Sequence, residues 1–122
     1  MNELIQELHD IEMIKQLKHR YFRAIDMADH GLLDSVFTDD ITVDYRGGTY
    51  VWEASGKQEI IQSLKYSFHS ETAAMHTGHH PEISIHDDVN ASGIWYLQDI
   101  FYNFNENALT QGTALYKDKY VK

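Results

Sequence analysis

The chain has 122 residues, 43% of them hydrophobic, and carries 10 basic against 19 acidic side chains for a formal net charge of −9. This acidity, with no basic cluster to offset it, argues against nucleic acid as a partner, and the absence of cysteine excludes disulfides, thiolate metal ligands and a cysteine nucleophile. We expect one domain over residues 1–122. We expect it in the cytoplasm, because the N-terminus is too charged for a signal peptide and no run of about 18 apolar residues could span a membrane.

Three helices are predicted in the first half of the chain. The first covers residues 1–30 and ends at His30 and Gly31. Its apolar positions recur at steps of three and four, at Leu4, Leu8, Ile11, Ile14, Leu17, Tyr21, Ile25 and Ala28. A short second helix has its apolar side at Leu32, Leu33, Val36 and Phe37. The third begins with a capping box formed by Ser55 and Gln58, and its buried stripe consists of Ile60, Ile61, Leu64 and Phe68.

Five strands are predicted between and after these helices. Residues 41–46 alternate apolar and polar side chains as a half-buried strand does. Gly47 and Gly48 form a hairpin turn, and residues 49–52 form the return strand of that hairpin. Longer strands follow at 73–86, 93–104 and 112–121. Pro81 lies inside the first of these, so we expect a β-bulge or a sheet edge there. Helices early in the chain and strands late predict the α+β class.

Strand alternation decides which polar side chains share a face. His76 and His80 point one way along their strand and His79 the other, which disfavours a metal site built from all three. In the next strand Asp99 shares a face with three large apolar residues, Trp95, Leu97 and Phe101. Asp26 lies on or near the buried stripe of the first helix. Because a buried carboxylate is costly unless it is paired, Asp26 and Asp99 are both candidate acid–base groups.

A carboxylate beside a histidine is a proton-abstracting pair, because the acid fixes the imidazole tautomer and stabilises the imidazolium. Asp26 and His76 could form such a pair, but their wide separation along the chain leaves this open. Asp26 could instead solvate a helix bend, and His76 could be a core histidine with satisfied hydrogen bonds. Tyr21 also fits the apolar stripe as an ordinary core residue.

Five sequence blocks resemble the SnoaL-like proteins, which have the nuclear transport factor 2-like cone fold: IEMIKQLKHRYFRAID, FTDDITVDY, MHTGHHPEISI, GIWYLQD and GTALYKDKY. Within that group the chain is most similar to the bacterial bile-acid 7-alpha-dehydratases, and the scytalone dehydratases are more distant relatives. The resemblance implies a curved antiparallel or mixed sheet wrapped around the N-terminal helices. The fold hosts several reactions as well as pure binders, so the resemblance is more specific for the fold than for the reaction.

The resemblance also implies a site. Pocket positions of the bile-acid dehydratases match Tyr21, Asp26, His76 and Asp99, which we expect to be catalytic, with His76 as the base. The remaining expected pocket residues are Tyr45, Trp95, Leu97, Phe101, Tyr116 and Asp118. Of these, Tyr45, Tyr116 and Asp118 fall where the scytalone dehydratases carry polar pocket residues, and the others would form the wall.

The function implied is elimination of water from a hydrophobic hydroxy-carbonyl substrate of steroid or polyketide type. Neither a metal nor an organic cofactor is required for such a reaction on an Asp–His pair. Two other classes are open. One is an isomerase, cyclase or dehydrohalogenase that uses the same pair, and the other is a non-catalytic binder of a hydrophobic metabolite.

Two expectations concern the sheet. The similar families continue past the last block into a further strand and a pocket arginine, whereas this sequence ends at Lys122. We therefore expect a cone without that strand. Three explanations are open: the chain is truncated, the natural protein is short, or a partner subunit closes the cone. Alternation also leaves an apolar stripe on the outer face of the sheet, formed by Ile94, Tyr96, Ile100 and Tyr102. Because an exposed apolar stripe of this kind is usually covered by a partner, we expect a homo-oligomer, either a dimer or a trimer.

Overall fold

The structure, a computed structural model, describes residues 1–122 and contains three helices and five strands. The helices are α1 (Asn2–Asp26), α2 (His30–Val36) and α3 (Lys57–Ser67). The strands are β1 (Thr42–Gly47), β2 (Tyr50–Ser55), β3 (Thr72–Ile85), β4 (Asn90–Asn103) and β5 (Ala108–Val121). The predicted α+β class and the predicted order of elements are confirmed. None of the three helices is long and apolar enough to cross a membrane.

The strands form two antiparallel sheets. β1 and β2 make a hairpin, and β3, β4 and β5 form a three-stranded meander in sequence order. The register of β3 on β4 shifts between His79 and Glu82, which confirms the bulge predicted at Pro81. His80, inside the bulge, has a left-handed backbone with φ of 52°. Every pairing is antiparallel, so the mixed sheet allowed by the sequence is not formed.

The hydrophobic core lies between the C-terminal half of α1 and the helices α2 and α3. Its fully buried members are Tyr21, Phe22, Ala24, Ile25, Leu33, Ile60, Ile61 and Leu64. The N-terminal half of α1 extends beyond this core, because Leu4 and Leu8 are 52% and 58% exposed. The apolar stripe predicted along the whole helix is therefore buried only over its second half.

Two predicted helix ends are wrong. α1 ends at Asp26 rather than at His30, because Ala28 adopts a left-handed φ of 52° and the chain turns there. Asp29 then caps α2, its carboxylate accepting from the Leu32 backbone N–H at 3.1 Å. The capping box predicted at Ser55 is also absent. Ser55 is the last residue of β2, and Gly56, with φ of 94°, precedes α3 without any side-chain cap.

Gly78 sets the distance between α1 and the sheet. A Cβ at this position would lie 2.7 Å from Cε2 of Phe22 and 3.1 Å from Cε3 of Trp95. Only glycine therefore lets the Phe22 ring rest directly on β3. This close approach brings the C-terminal end of α1 onto the strand that carries His76.

Candidate active site

Asp26 and His76 form a hydrogen-bonded pair where the end of α1 meets β3. His76 Nδ1 lies 2.6 Å from Asp26 Oδ1, and the His76 backbone N–H donates to both carboxylate oxygens at 3.1 Å. The imidazole is 8% exposed and the carboxylate 20% exposed, so water is largely kept from the bond between them. The backbone contact fixes the carboxylate against the strand as well as against the ring.

The carboxylate determines which imidazole nitrogen is free. Ionised Asp26 can only accept, so Nδ1 carries the proton, and in the neutral ring Nε2 keeps its lone pair. Nε2 bonds to no other group of the protein. It is also accessible to solvent: the only buried side-chain nitrogen or oxygen without a hydrogen-bond partner is His30 Nδ1, so the unpartnered Nε2 of His76 is not buried. Nε2 of His76 is therefore an unengaged base that faces accessible space.

Aromatic rings and a second carboxylate surround His76. Phe22 stacks on the imidazole, with 6.2 Å between ring centroids and 11° between planes, and Phe68 meets it edge-on at 5.5 Å. Asp99 of β4 lies directly opposite His76 in the antiparallel register. Its Oδ1 is 2.8 Å from the position that a Cβ on Gly112 would occupy, so glycine there makes room for the carboxylate.

An open cleft of about 540 Å³ reaches Asp26 at the corner between α1, α2 and the loop that precedes β3. It is lined by Asp26, Met27, Ala28, His30, His69, Ser70 and Thr72. His30 Nε2 donates to the Phe68 carbonyl at 3.0 Å, which leaves Nδ1 of the neutral ring as the unpartnered buried acceptor. Five of the seven lining residues have polar side chains, and the cleft gives the carboxylate side of the pair access to solvent.

Three tyrosines form a second polar group on the same inner side of the molecule. The hydroxyls of Tyr21 and Tyr45 are 3.2 Å apart, and the Tyr116 ring packs edge-on against both, at 6.3 and 6.1 Å between centroids. Burial, followed by the proximity of the other phenols, raises the pKa of each well above the ordinary value of 10.0. These tyrosines therefore stay protonated and act as hydrogen-bond donors.

A buried ion pair adjoins the tyrosine group. Lys18 is only 5% exposed, and its Nζ lies 2.7 Å from Asp118 Oδ2. Asp118 also accepts from the Tyr120 hydroxyl at 2.8 Å, and that hydroxyl accepts from Trp95 Nε1 at 3.0 Å. Burial lowers the pKa of Lys18, although Asp118 opposes this effect. The network spans α1, β4 and β5.

The structure brings together some of the predicted site residues. Asp26 contacts His76, Asp99 lies opposite His76 in the sheet register, and the Phe101 ring is edge-on to Phe68 at 5.8 Å. Leu97 packs against the core. The structure contains no three His, Asp or Glu side chains close enough together to hold a metal ion.

Two predicted pocket residues are engaged by other groups of the protein. Trp95 is 2% exposed, with its indole edge-on to His19, so it occupies a core position rather than a pocket wall. Asp118 is engaged by the ion pair with Lys18. Lys18 itself was missed by the sequence analysis. It lies four residues after Ile14 and seven before Ile25, on the apolar stripe, and this spacing could have identified it.

Comparison with known proteins shows the family and the fold of this chain. The SnoaL-like domain family matches residues 6–122. A candidate scytalone dehydratase from Novosphingobium aromaticivorans is 19% identical, with a TM-score of 0.84 over 100% of this chain and 78% of that chain. LinA is 20% identical, with a TM-score of 0.76 over 100% and 81% of the two chains. A nuclear transport factor 2-like superfamily protein from Salmonella enterica serovar Typhimurium is 15% identical, with a TM-score of 0.76 over 91% and 78%. At these identities the structural likeness establishes the fold.

Proposed function

The chain belongs to the SnoaL-like domain family, and on this premise we propose that it is a cofactor-independent lyase that removes water from a hydrophobic hydroxy-carbonyl compound. The observation that carries the proposal is the Asp26–His76 pair, in which the carboxylate holds Nδ1 at 2.6 Å and Nε2 is unengaged. A positioned base of this kind is what abstraction of a carbon-bound proton next to a carbonyl needs.

In the first step Nε2 of His76 takes the proton from the carbon next to the carbonyl. The electron pair of the broken C–H bond moves toward the carbonyl oxygen and forms an enolate. Asp26 stabilises the imidazolium that results, because its carboxylate already accepts from Nδ1. One of the mutually bonded hydroxyls of Tyr21 and Tyr45 keeps a free O–H, which would donate a hydrogen bond to the enolate oxygen.

In the second step the enolate collapses, a C=C bond forms and the C–O bond to the hydroxyl group breaks. The departing hydroxide receives the proton from His76 and leaves as water, so the protein ends in its starting state. Asp99, directly across from His76 in the sheet register, would hold the hydroxyl group in the correct orientation. Each positioned acid or base of this type typically contributes about 10²–10⁴-fold in rate.

The structural neighbours support a dehydration, since one of them is a candidate scytalone dehydratase. The preference for a steroid or polyketide substrate, and the closer kinship with bile-acid 7-alpha-dehydratases, rest on the sequence blocks and belong to the proposal. So do the single-domain organisation, the cytoplasmic location and the homo-oligomeric state. The outer sheet face supports the last of these, because Tyr96 and its neighbour Leu115 are 57% and 49% exposed.

A proton-transfer isomerase or cyclase is the second candidate, and the same unengaged Nε2 favours it. Such an enzyme would return the proton to carbon rather than to a leaving hydroxyl group, and its product would have the mass of the substrate. A non-catalytic binder is the third possibility. It would bind hydrophobic ketones without changing their mass, whether or not His76 is present.

The test is a screen of hydroxylated ketosteroids and polyketide-type hydroxyketones, followed by mass spectrometry of the products. We expect loss of water with the wild type, and at least a hundredfold lower turnover for folded Asp26→Asn and His76→Gln variants. Asp40→Asn and His79→Gln change exposed residues of the same types and should retain full activity. Full turnover in either dyad variant would refute the assignment, and binding without any turnover would identify a binder.

A further inference from the structure

Lys18 is the only charged side chain in the buried core. A buried ion pair is weak evidence for stability, because the cost of removing two charges from water can exceed their mutual attraction. Stability gained from the ion pair with Asp118 therefore does not explain why a lysine is buried here. The aromatic rings that surround the ammonium indicate a second role.

The Lys18 ammonium is held against aromatic faces. Nζ lies 3.5 Å from the centroid of the Tyr116 ring, 5.1 Å from that of Tyr21 and 5.3 Å from that of Phe22. The first distance is that of a close cation–π contact. Asp118 accepts from the ammonium at 2.7 Å and from the Tyr120 hydroxyl at 2.8 Å. The ammonium of the ion pair is thus also in contact with the tyrosine group.

A cation on the face of a phenol ring withdraws electron density from it and makes the hydroxyl a stronger donor. Tyr116 contacts Tyr21 and Tyr45, whose hydroxyls bond to each other, so the effect of the ammonium on Tyr116 extends to the other two phenols. The Asp118 carboxylate acts in the opposite sense, because, beside burial, its charge contributes to the raised pKa of each phenol, and the ammonium offsets that charge. Burial keeps water from screening this potential.

We propose that Lys18 is a positioning residue, whose ammonium polarises the hydroxyl cluster of Tyr21, Tyr45 and Tyr116 so that the cluster binds the charged oxygen of an acidic enol or phenol. The inference rests on the proposed function, because this oxygen would be that of the enolate formed when His76 removes the proton. The Phe22 ring packs against both His76 and Tyr116, and so contacts both the base and the oxygen site.

The test uses 4-nitrophenol as the probe, because its ionised form absorbs visible light and its binding requires no turnover. The probe is titrated with full-length protein at a pH below its own pKa in water. We expect the wild type to bind it with a larger ionised fraction than in solution. Tyr116→Phe, which keeps the ring and removes the donor, should lower that fraction.

Replacing the ammonium should lower the ionisation constant of the bound probe about tenfold in Lys18→Met, the order expected for losing one charge at short range. Lys18→Arg should restore most of the effect, since it restores a cation. Lys65→Met removes an exposed lysine of α3 and serves as the control for net charge. Because Lys18→Met leaves Asp118 unpaired and can fail to fold, the double variant Lys18→Met/Asp118→Asn removes both charges. Its ionised fraction should lie between those of Lys18→Met and the wild type, since the Asp118 charge that opposes ionisation is also gone.

Each outcome decides a separate point. An ionised fraction that is unchanged in a folded Lys18→Met or in the double variant, while the wild type binds the probe, overturns the role of Lys18 and leaves the dyad untouched. A folded wild type that binds no phenol overturns the oxygen site altogether. The dyad variants should lose turnover while the bound probe ionises as it does in the wild type. The dyad and the oxygen site are therefore tested by different measurements, and one proposal can fail while the other stands.

Discussion

The contact between α1 and β3 can be tested by filling the space above Gly78. In Gly78→Ala the new Cβ would lie 2.7 and 3.2 Å from two atoms of Phe22 and 3.1 Å from Trp95. Both rings are buried, at 6% and 2% exposure, so neither can swing into solvent. Overpacking of this kind costs about 1–3 kcal/mol. For a chain of this length we expect the melting temperature to fall by roughly 4–12 °C.

The matched control is Gly47→Ala, because a Cβ at Gly47 meets nothing within 4 Å and its φ is not left-handed. This variant should melt at or slightly above the wild-type temperature, since alanine restricts the unfolded chain. Thermal unfolding followed by circular dichroism compares the two. The Phe22 ring stacks on His76, so Gly78→Ala should also move the His76 ring signals in NMR spectra. Equal melting temperatures for the two variants would refute the tight packing of helix on strand.

Three further predictions concern other parts of the molecule. Gly112→Ala should displace the Asp99 carboxylate, which lies 2.8 Å from the new Cβ, and lower turnover about tenfold to hundredfold at nearly constant melting temperature; unchanged turnover would remove Asp99 from the site. Burial raises the pKa of Tyr45 in the folded state, so its contribution to stability is complete below about pH 10.0 and is lost as the pH rises above that value. Urea unfolding between pH 8 and 11 should therefore show a shallower alkaline loss in Tyr45→Phe, and an identical loss would contradict this. Tyr96→Glu places a charge on the exposed sheet face and should yield monomers in light scattering; a monomeric wild type would exclude the oligomer.

The fold was predictable because its elements carry strong local signals. The period of the first helix, the Gly47–Gly48 turn and the alternation of the three long strands each depend on residues close in sequence. Pro81 located the bulge because proline cannot donate to a sheet hydrogen bond. The ends of α1 and α3 were missed, since they depend on left-handed backbone at Ala28 and Gly56 that the surrounding structure imposes.

The site was predictable only in part. Alternation placed His76 and Asp99 on inner faces, but it could not place Asp26 beside His76, because that contact depends on how far α1 slides along β3. The family resemblance supplied the pairing. Lys18 was missed because a lysine on an amphipathic helix usually keeps its ammonium in water. Its partner Asp118 is a hundred residues away on the last strand, where no local pattern connects the two.

The geometry of α1 links the two polar groups and limits the ligand that both could hold. Asp26 and Lys18 lie on the side of the same helix that faces the sheet, eight residues apart, which at 1.5 Å per residue is about 12 Å along the axis. The rigid helix therefore fixes how the dyad and the tyrosine group lie relative to each other, and the Phe22 ring contacts both. The carbon that loses its proton is bonded to the carbonyl carbon, so both groups must act on one short segment of the ligand that lies against Phe22. The rest of the ligand would contact the Phe68 and Phe101 rings beside His76, which favours hydrophobic ring systems of the steroid and polyketide classes over small aliphatic substrates.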